Sequence, residues 1–449
     1  MSRFYKYFRI SKPSEKSVET SSVEKQYTRL RARTFWAASV AYSLYYVCRM
    51  TLSVVKKPLI DNDILSAGEL GIIGSAMLIV YAFGKFVNGF MADYCNVRRF
   101  MTTGLLVSAA ANLVMGAIGL LHGAIGLTSA MTMVCFAVMW GFNGWTQSMG
   151  APAGIVSLSR WFPLSSRGIY YSIFCGTPYL GKFISFITTG LIVGWAGWEY
   201  GFFFAAIAGL VGAIIAGTLV SDTPESEGLP SVQTLYGEKK KQADGLPTKE
   251  IQKLVFRHPG IWVMALSSAF VYIAQYAVSG WGVLFLQEAK DFSLAKASQA
   301  IAFSEAFGIL GTVTAGWLSD KVFRGDRVKP VLISGILSCI SLGLFLFSGG
   351  GLLLNILYVS VFSVSIGVLY CIVAGLMALD IVPRKATGAA LGIVGISSYV
   401  AAGIQDVASG FMIQGHTSFT PVSLFWLIAC LLAFILPVFG WSKMKEGIS

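Results

Sequence analysis

The chain has 449 residues, 55% of them hydrophobic and only 12% charged, with a mean hydropathy of +0.68. That charged fraction is about half that of an ordinary soluble domain, too little to cover a water-soluble enzyme of this length, and the apolar content excludes disorder. The formal charge of +12 suits a nucleic-acid binder only if Lys and Arg collect on one exposed face, so their positions along the chain decide.

A membrane-crossing helix needs about 20 mainly apolar residues. Stretches of that kind predict twelve spans, over 34–55, 70–91, 100–121, 125–148, 169–194, 199–220, 260–286, 298–318, 330–348, 352–378, 387–413 and 420–441. Their Gly, Ser and Ala content suits close helix packing in lipid, and no strand is indicated. Met1–Ile10 is basic and aromatic, but a polar run follows where a signal peptide has its apolar core, so no cleavable signal is expected. The seven cysteines are scattered without a CxxC pair, which predicts neither disulfide nor metal site.

With both termini placed inside, 27 of the 34 Lys and Arg fall in cytoplasmic segments. These are 1–33, the linker 221–259, the short loops with Arg98, Arg99, Arg160, Arg167, 321–329, Arg384 and Lys385, and the tail with Lys443 and Lys445. Lys56, Lys57, Lys290 and Lys296 are expected on the opposite side, leaving Arg49, Lys85 and Lys182 inside spans. Basic residues distributed in this way set membrane topology. Nucleic acid is therefore excluded as a partner.

The loop after the second span reads Gly89-Phe-Met-Ala-Asp93-Tyr-Cys-Asn-Val-Arg98, and that after the eighth reads Gly316-Trp-Leu-Ser-Asp320-Lys-Val-Phe-Arg324. The two lie 227 residues apart, close to half the chain. This spacing predicts a same-direction repeat of six helices. The expected organisation is a basic segment 1–33, a bundle 34–220, a linker 221–259, a bundle 260–441 and a tail 442–449. Asp93, Arg98, Asp320 and Arg324 are candidate gates: Asp–Arg pairs across the bundle would hold the cytoplasmic side shut and break as it opens. A tight turn whose basic residues only fix topology explains the same pattern.

An ionisable group inside a span costs about 2.5–3.5 kcal/mol on insertion scales and marks function by default. Arg49 ends the run Tyr42-Ser-Leu-Tyr45-Tyr46-Val-Cys-Arg49, where Tyr42, Tyr45, Tyr46 and Arg49 recur at i, i+3, i+4 and i+7 on one helix face. A guanidinium with phenols beside it matches two oxygens of a phosphate or carboxylate. Tyr81 and Lys85 share a face in the second span, Lys182 lies in the fifth, and Glu305 and Asp406 are the acids within spans. An interior with three cations and two acids favours an anion. In the seventh span Tyr272, Gln275, Tyr276 and Ser279 repeat the i, i+3, i+4, i+7 stripe. Two such stripes, one from each half, are what a central transport site needs. The three histidines are expected in loops, so no His proton relay is indicated.

These segments resemble the major facilitator superfamily, and within it the bacterial organophosphate:phosphate antiporters. The most specific are Tyr45-Tyr46-Val-Cys-Arg49, Tyr81-Ala-Phe-Gly-Lys85-Phe86, Asp222-Thr-Pro-Glu-Ser-Glu-Gly228-Leu-Pro230 and Gly316-Trp-Leu-Ser-Asp320-Lys-Val-Phe-Arg324-Gly-Asp-Arg327. The resemblance implies an all-α membrane protein, twelve transmembrane helices in two six-helix bundles related by a pseudo-two-fold axis. It also implies a monomer in the bacterial cytoplasmic membrane that exchanges an external organophosphate for internal inorganic phosphate by alternating access. Substrate ligands carried over are Arg49, Lys85, Tyr42, Tyr46, Tyr81, Tyr272 and Tyr399, with Glu305 and Asp406 for coupling or charge balance. Two positions depart from the family: its second phosphate-binding cation is Gln275 here, and the span-5 histidine of its glycerol-3-phosphate members is Pro178. Lys182, one turn beyond Pro178, is the expected replacement cation, with Gln275 donating an amide hydrogen bond. No cofactor and no enzyme activity are expected. The alternatives are a proton-coupled carrier using Glu305 or Asp406, and a membrane sensor of external hexose phosphate.

Overall fold

The computed structural model describes residues 3–15, 18–237, 255–382, 387–415 and 418–445. The Lys239–Lys241 run of the linker, the loop with Arg384 and Lys385, and His416 lie outside these residues. Helices account for nearly all of the described chain. We label the long ones α1 (Val23–Asp61), α2 (Ala67–Ala92), α3 (Val97–Ile125), α4 (Ser129–Gln147), α5 (Leu164–Ala196), α6 (Trp198–Leu219), α7 (Pro259–Ala289), α8 (Leu294–Trp317), α9 (Val328–Phe347), α10 (Leu352–Cys371), α11 (Thr387–Gly415) and α12 (Thr420–Lys445). Ten of the helices are long and apolar enough to cross a membrane; α1 and α4 fall outside that set. Large apolar side chains such as Leu113, Leu210, Leu353 and Phe439 point outward, as on a surface solvated by lipid.

Local chemistry sets the breaks between helices. Ser66 and Glu69 form a reciprocal capping box that starts α2, and the Asn96 side chain accepts the Arg99 amide at the start of α3; each satisfies donors that a helix start leaves free. Three expectations are corrected here. Helix α1 runs on to Asp61 and carries Lys56 into the bundle, 2% exposed, because Asp406 neutralises its ammonium at 3.5 Å. A separate helix, Gly150–Trp161, follows α4 after a turn at Ser148–Met149. His122 lies in the last turn of α3 rather than in a loop.

In the first half α1 packs on α5 and α6, α2 on α4, and α3 on α4 and α6. The second half repeats the pattern, α7 on α11 and α12, α8 on α10, and α9 on α10 and α12. Between the halves the main contacts are α2 on α11 and α5 on α8, with a lesser contact of α1 on α7. The α2–α11 crossing depends on bare backbone: a Cβ on Gly71 would lie 2.6 Å from the Asp406 carbonyl oxygen, closer than any side-chain carbon approaches.

Ion pairs divide by location. Among the described residues Lys56–Asp406, Lys57–Glu288 and Lys182–Glu305 join the two halves. Arg160–Asp222, Arg327–Asp320 and Arg327–Asp380 each stay within one half. The halves are thus fastened at the end where α1 meets α2 and at mid-depth, while the charges at the other end tie only their own bundle. Replacing Gly71 with Val forces α2 from α11; overpacking of this kind costs about 1–3 kcal/mol, and thermal unfolding of the purified protein should show a lowered Tm, whereas an unchanged Tm would mean the crossing is loosely packed.

Candidate functional site

Helix α1 is held in place beside Arg49 by side chains from its own half. Asn112 on α3 and Asn143 on α4 both donate to the Cys48 carbonyl at 3.1 Å, and Gln147 donates to the Tyr45 carbonyl at 2.9 Å. Tyr45 turns away from its predicted stripe and donates to the Met101 carbonyl at 2.8 Å, so it anchors α1 to α3 instead of facing the centre. Buried amide bonds of this kind are the usual glue between helices in lipid. They fix the rotation that aims Tyr46 and Arg49 at the second half.

Arg49 is 3% exposed. Its guanidinium donates to the Tyr276 hydroxyl at 2.6 Å and lies 4.5 Å from the ring centre of Tyr81, 5.4 Å from that of Tyr46 and 5.8 Å from those of Tyr276 and Tyr399. No carboxylate among the described residues lies within ion-pair distance of it. The cage comes from α1, α2, α7 and α11, hence from both halves. Lys85 faces the same cage, 5.1 Å from the Tyr399 ring, also without a carboxylate partner among the described residues.

The rest of the second-half wall is aromatic. Tyr272 stacks on Tyr276 and Tyr370 and donates to the Tyr370 hydroxyl at 3.0 Å, while Tyr399 packs edge-on against Tyr272. Gln275 keeps its amide oxygen buried without a hydrogen-bond partner among the described residues. Such a group costs free energy until something donates to it. Tyr42 sits further along α1, stacked on Phe174 and edge-on to Tyr46. Two unneutralised cations, phenol hydroxyls and an unused amide oxygen suit a ligand with a doubly charged head and a hydroxylated body.

A family model described as Major Facilitator Superfamily matches residues 38–405. The chain is similar to the glycerol-3-phosphate transporter of Bacillus subtilis, 30% identical over 97% of this chain and 98% of that one. It is 29% identical to a "Probable hexose phosphate transport protein" of Chlamydia muridarum, over 100% of this chain and 99% of the other. Its fold is similar to that of the solved nucleoside transporter NupG, with a TM-score of 0.70, 14% identity, and coverage of 92% of this chain and 99% of that one. The chain belongs to the Major Facilitator Superfamily. Within the superfamily it falls among the organophosphate transporters, and it is a membrane transporter rather than an enzyme.

In this major facilitator chain the remaining predicted residues occupy other places. Lys182, expected beside Arg49, instead donates to Glu305 at 3.0 Å, both nearly buried, and so bridges α5 to α8. Asp406 lies with Lys56 and accepts the Trp281 indole N–H at 2.5 Å, apart from the tyrosine cage. Asp320 pairs with Arg327 at 2.6 Å, not with Arg324. Arg324 occupies the left-handed region at φ +52. The Asp93 backbone carbonyl accepts from Arg160, and Arg98 is exposed, with no ion pair among the described residues. Among the described residues no Asp–Arg pair joins the two halves at this end in this conformation.

Tyr370, Lys56 and Trp281 were missed as site residues. Lys56 follows Arg49 by seven residues, so extending the α1 stripe by two turns would have found it. Tyr370 has no such signal, since it directly precedes Cys371 and the π-helical turn Ile372–Met377. Arg49→Lys keeps the charge but loses the fork of parallel donors. Losing one charge-assisted hydrogen bond of about 1.5–3 kcal/mol weakens phosphate binding about 10–100-fold. Titration of the purified variant, at unchanged thermal stability, reads this directly.

Proposed function

We propose that this transporter imports an organophosphate, a sugar phosphate, glycerol 3-phosphate or phosphoglycerate, in exchange for inorganic phosphate. The observation that carries this is the buried Arg49 guanidinium, caged by tyrosines of both halves and short of negative charge. Arg49 and Lys85 hold the phosphoryl group, both facing the cage without a carboxylate partner among the described residues. Gln275, Tyr272, Tyr276, Tyr370 and Tyr399 face the organic part, with Tyr42, Tyr46 and Tyr81 closing the first-half side. Relatives named as glycerol-3-phosphate and hexose phosphate transporters support this substrate class.

The mechanism is alternating access by two bundles, 34–220 and 260–441, each of six membrane helices, related by a pseudo-two-fold axis. The recurrence of the helix-packing pattern and the pairing of α2–α11 with α5–α8 support that relation. The basic-residue bias supports a cytoplasmic position for both termini; on that reading the fastened end faces outward and this conformation opens inward. Binding draws both halves onto the anion through Arg49 and the α7 tyrosines. An empty carrier is disfavoured from reorienting because its site is left with uncompensated positive charge. Lys182–Glu305 is a neutral pair between the halves that keeps charge balanced as they move.

Proteoliposomes loaded with labelled phosphate test the reaction. External organophosphate should release the label one for one without a pH gradient; dependence on a proton gradient with no phosphate release would favour proton-coupled transport instead. The role of Lys182 has its own test. Lys182→Ala strands a buried Glu305, an unpaired charge that costs about 3–5 kcal/mol, and should abolish exchange. The paired variant Lys182→Gln/Glu305→Gln should regain most of it. If the paired variant is as inactive as the single one, Lys182 binds the substrate itself.

A further inference from the structure

We infer that Lys56 is a second anion site, an outer relay that receives the phosphoryl group before Arg49, and that Asp406 occupies this cation whenever the outer side is shut. This rests on the proposed transport of a phosphoryl anion and adds a site to it.

Lys56 lies seven residues after Arg49 on α1, hence on the same helix face and about 10 Å further toward the outer end. It is 2% exposed. Its ammonium stands 3.1 Å from the centre of the Trp281 ring and 3.5 Å from Asp406 Oδ1. The same oxygen accepts the Trp281 indole N–H at 2.5 Å, so the carboxylate keeps a donor even when the lysine leaves. The three groups come from α1, α7 and α11, and the carboxylate lies against the bare backbone of Gly74 on α2, where a Cβ would overlap it. Lys57, next in the chain, is a rim residue whose partners are Asp61 and Glu288.

Asp406 supplies the counter-charge that offsets the burial of this ammonium. Opening the outer side parts the halves, separates α1 from α11, and removes that counter-charge. Lys56 is then left on the wall of the vestibule, in line with Arg49, and an arriving phosphoryl group is the anion able to replace the carboxylate. Asp406 and the substrate compete for one ammonium. The outer side can close only after the anion has passed inward to Arg49, which imposes the order of loading, hand-over and closure. The asymmetry is the consequence that can be measured: Lys56 acts on substrate arriving from outside and not on substrate arriving from the cytoplasm.

Right-side-out and everted vesicles containing the full chain separate the two directions, with initial exchange rates measured against phosphate concentration on the exposed face. Wild-type exchange in both preparations is the reference; its absence would overturn the proposed function itself. Lys56→Gln should raise the outward-face KM for phosphate about tenfold, the loss of one charge-assisted contact, and leave the inward-face KM unchanged. Lys56→Arg should keep both. Asp406→Asn removes the competitor and should lower the outward-face KM. Lys56→Gln/Asp406→Asn leaves no buried unpaired charge, which keeps the test readable should the single variant fail to fold, and it should show the same raised outward-face KM. Equal KM changes on both faces, or an outward-face KM in the paired variant equal to wild type, would overturn the relay while leaving the transport assignment intact.

Discussion

A buried arginine with no carboxylate beside it among the described residues organises this transporter. Desolvating a guanidinium is expensive, and the protein offsets that cost only in part, through one phenol oxygen at 2.6 Å and four aromatic faces. Cation–π contacts are worth about 2 kcal/mol or more when desolvated, less than an anionic partner supplies. A phosphoryl group is the partner we propose completes the site. The amides of Asn112, Asn143 and Gln147 hold α1 in the rotation this requires, and the tyrosines of α7 and α11 bring the other half to the same point.

The other buried cations behave differently, and the difference explains how the halves can move. Lys56 and Lys182 each have an acid from the opposite half within reach, and Lys57 does so at the rim. Such pairs hold a closed interface and can separate when water or substrate takes over one member. At the opposite end Arg160 and Arg327 are engaged within their own bundles, which stiffens each bundle without joining them. Cages, latches and bundle ties are thus three uses of one residue class, distinguished by where the nearest carboxylate sits.

Much of this was legible in the sequence, for local reasons. Apolar runs marked the spans, the 227-residue spacing of Asp93 and Asp320 marked the repeat, and the period of Tyr42, Tyr46 and Arg49 marked the central face. What escaped depends on long-range pairing. Lys182 and Glu305 are 123 residues apart, and Lys56 and Asp406 are 350 apart; nothing in either local pattern reveals the partner. Lys56 looked like an outer loop residue because Lys56-Lys57-Pro58 ends an apolar run, a rule that fails when a distant acid neutralises the first lysine. The gate residues were placed by motif, but Asp320 pairs with Arg327, which was not among them. Tyr45 shared the stripe and still turned to α3, because its hydroxyl found a backbone carbonyl there.

The most direct measurement is equilibrium competition at the central site of the purified protein, with a bound labelled sugar phosphate challenged by inorganic phosphate and by the same sugar without its phosphate. If Arg49 and its cage bind the phosphoryl group, inorganic phosphate displaces the label fully at one site per chain, and the neutral sugar does so only at far higher concentration. Displacement by the neutral sugar as readily as by phosphate would contradict the account, since the site would then be reading the sugar and not the charge.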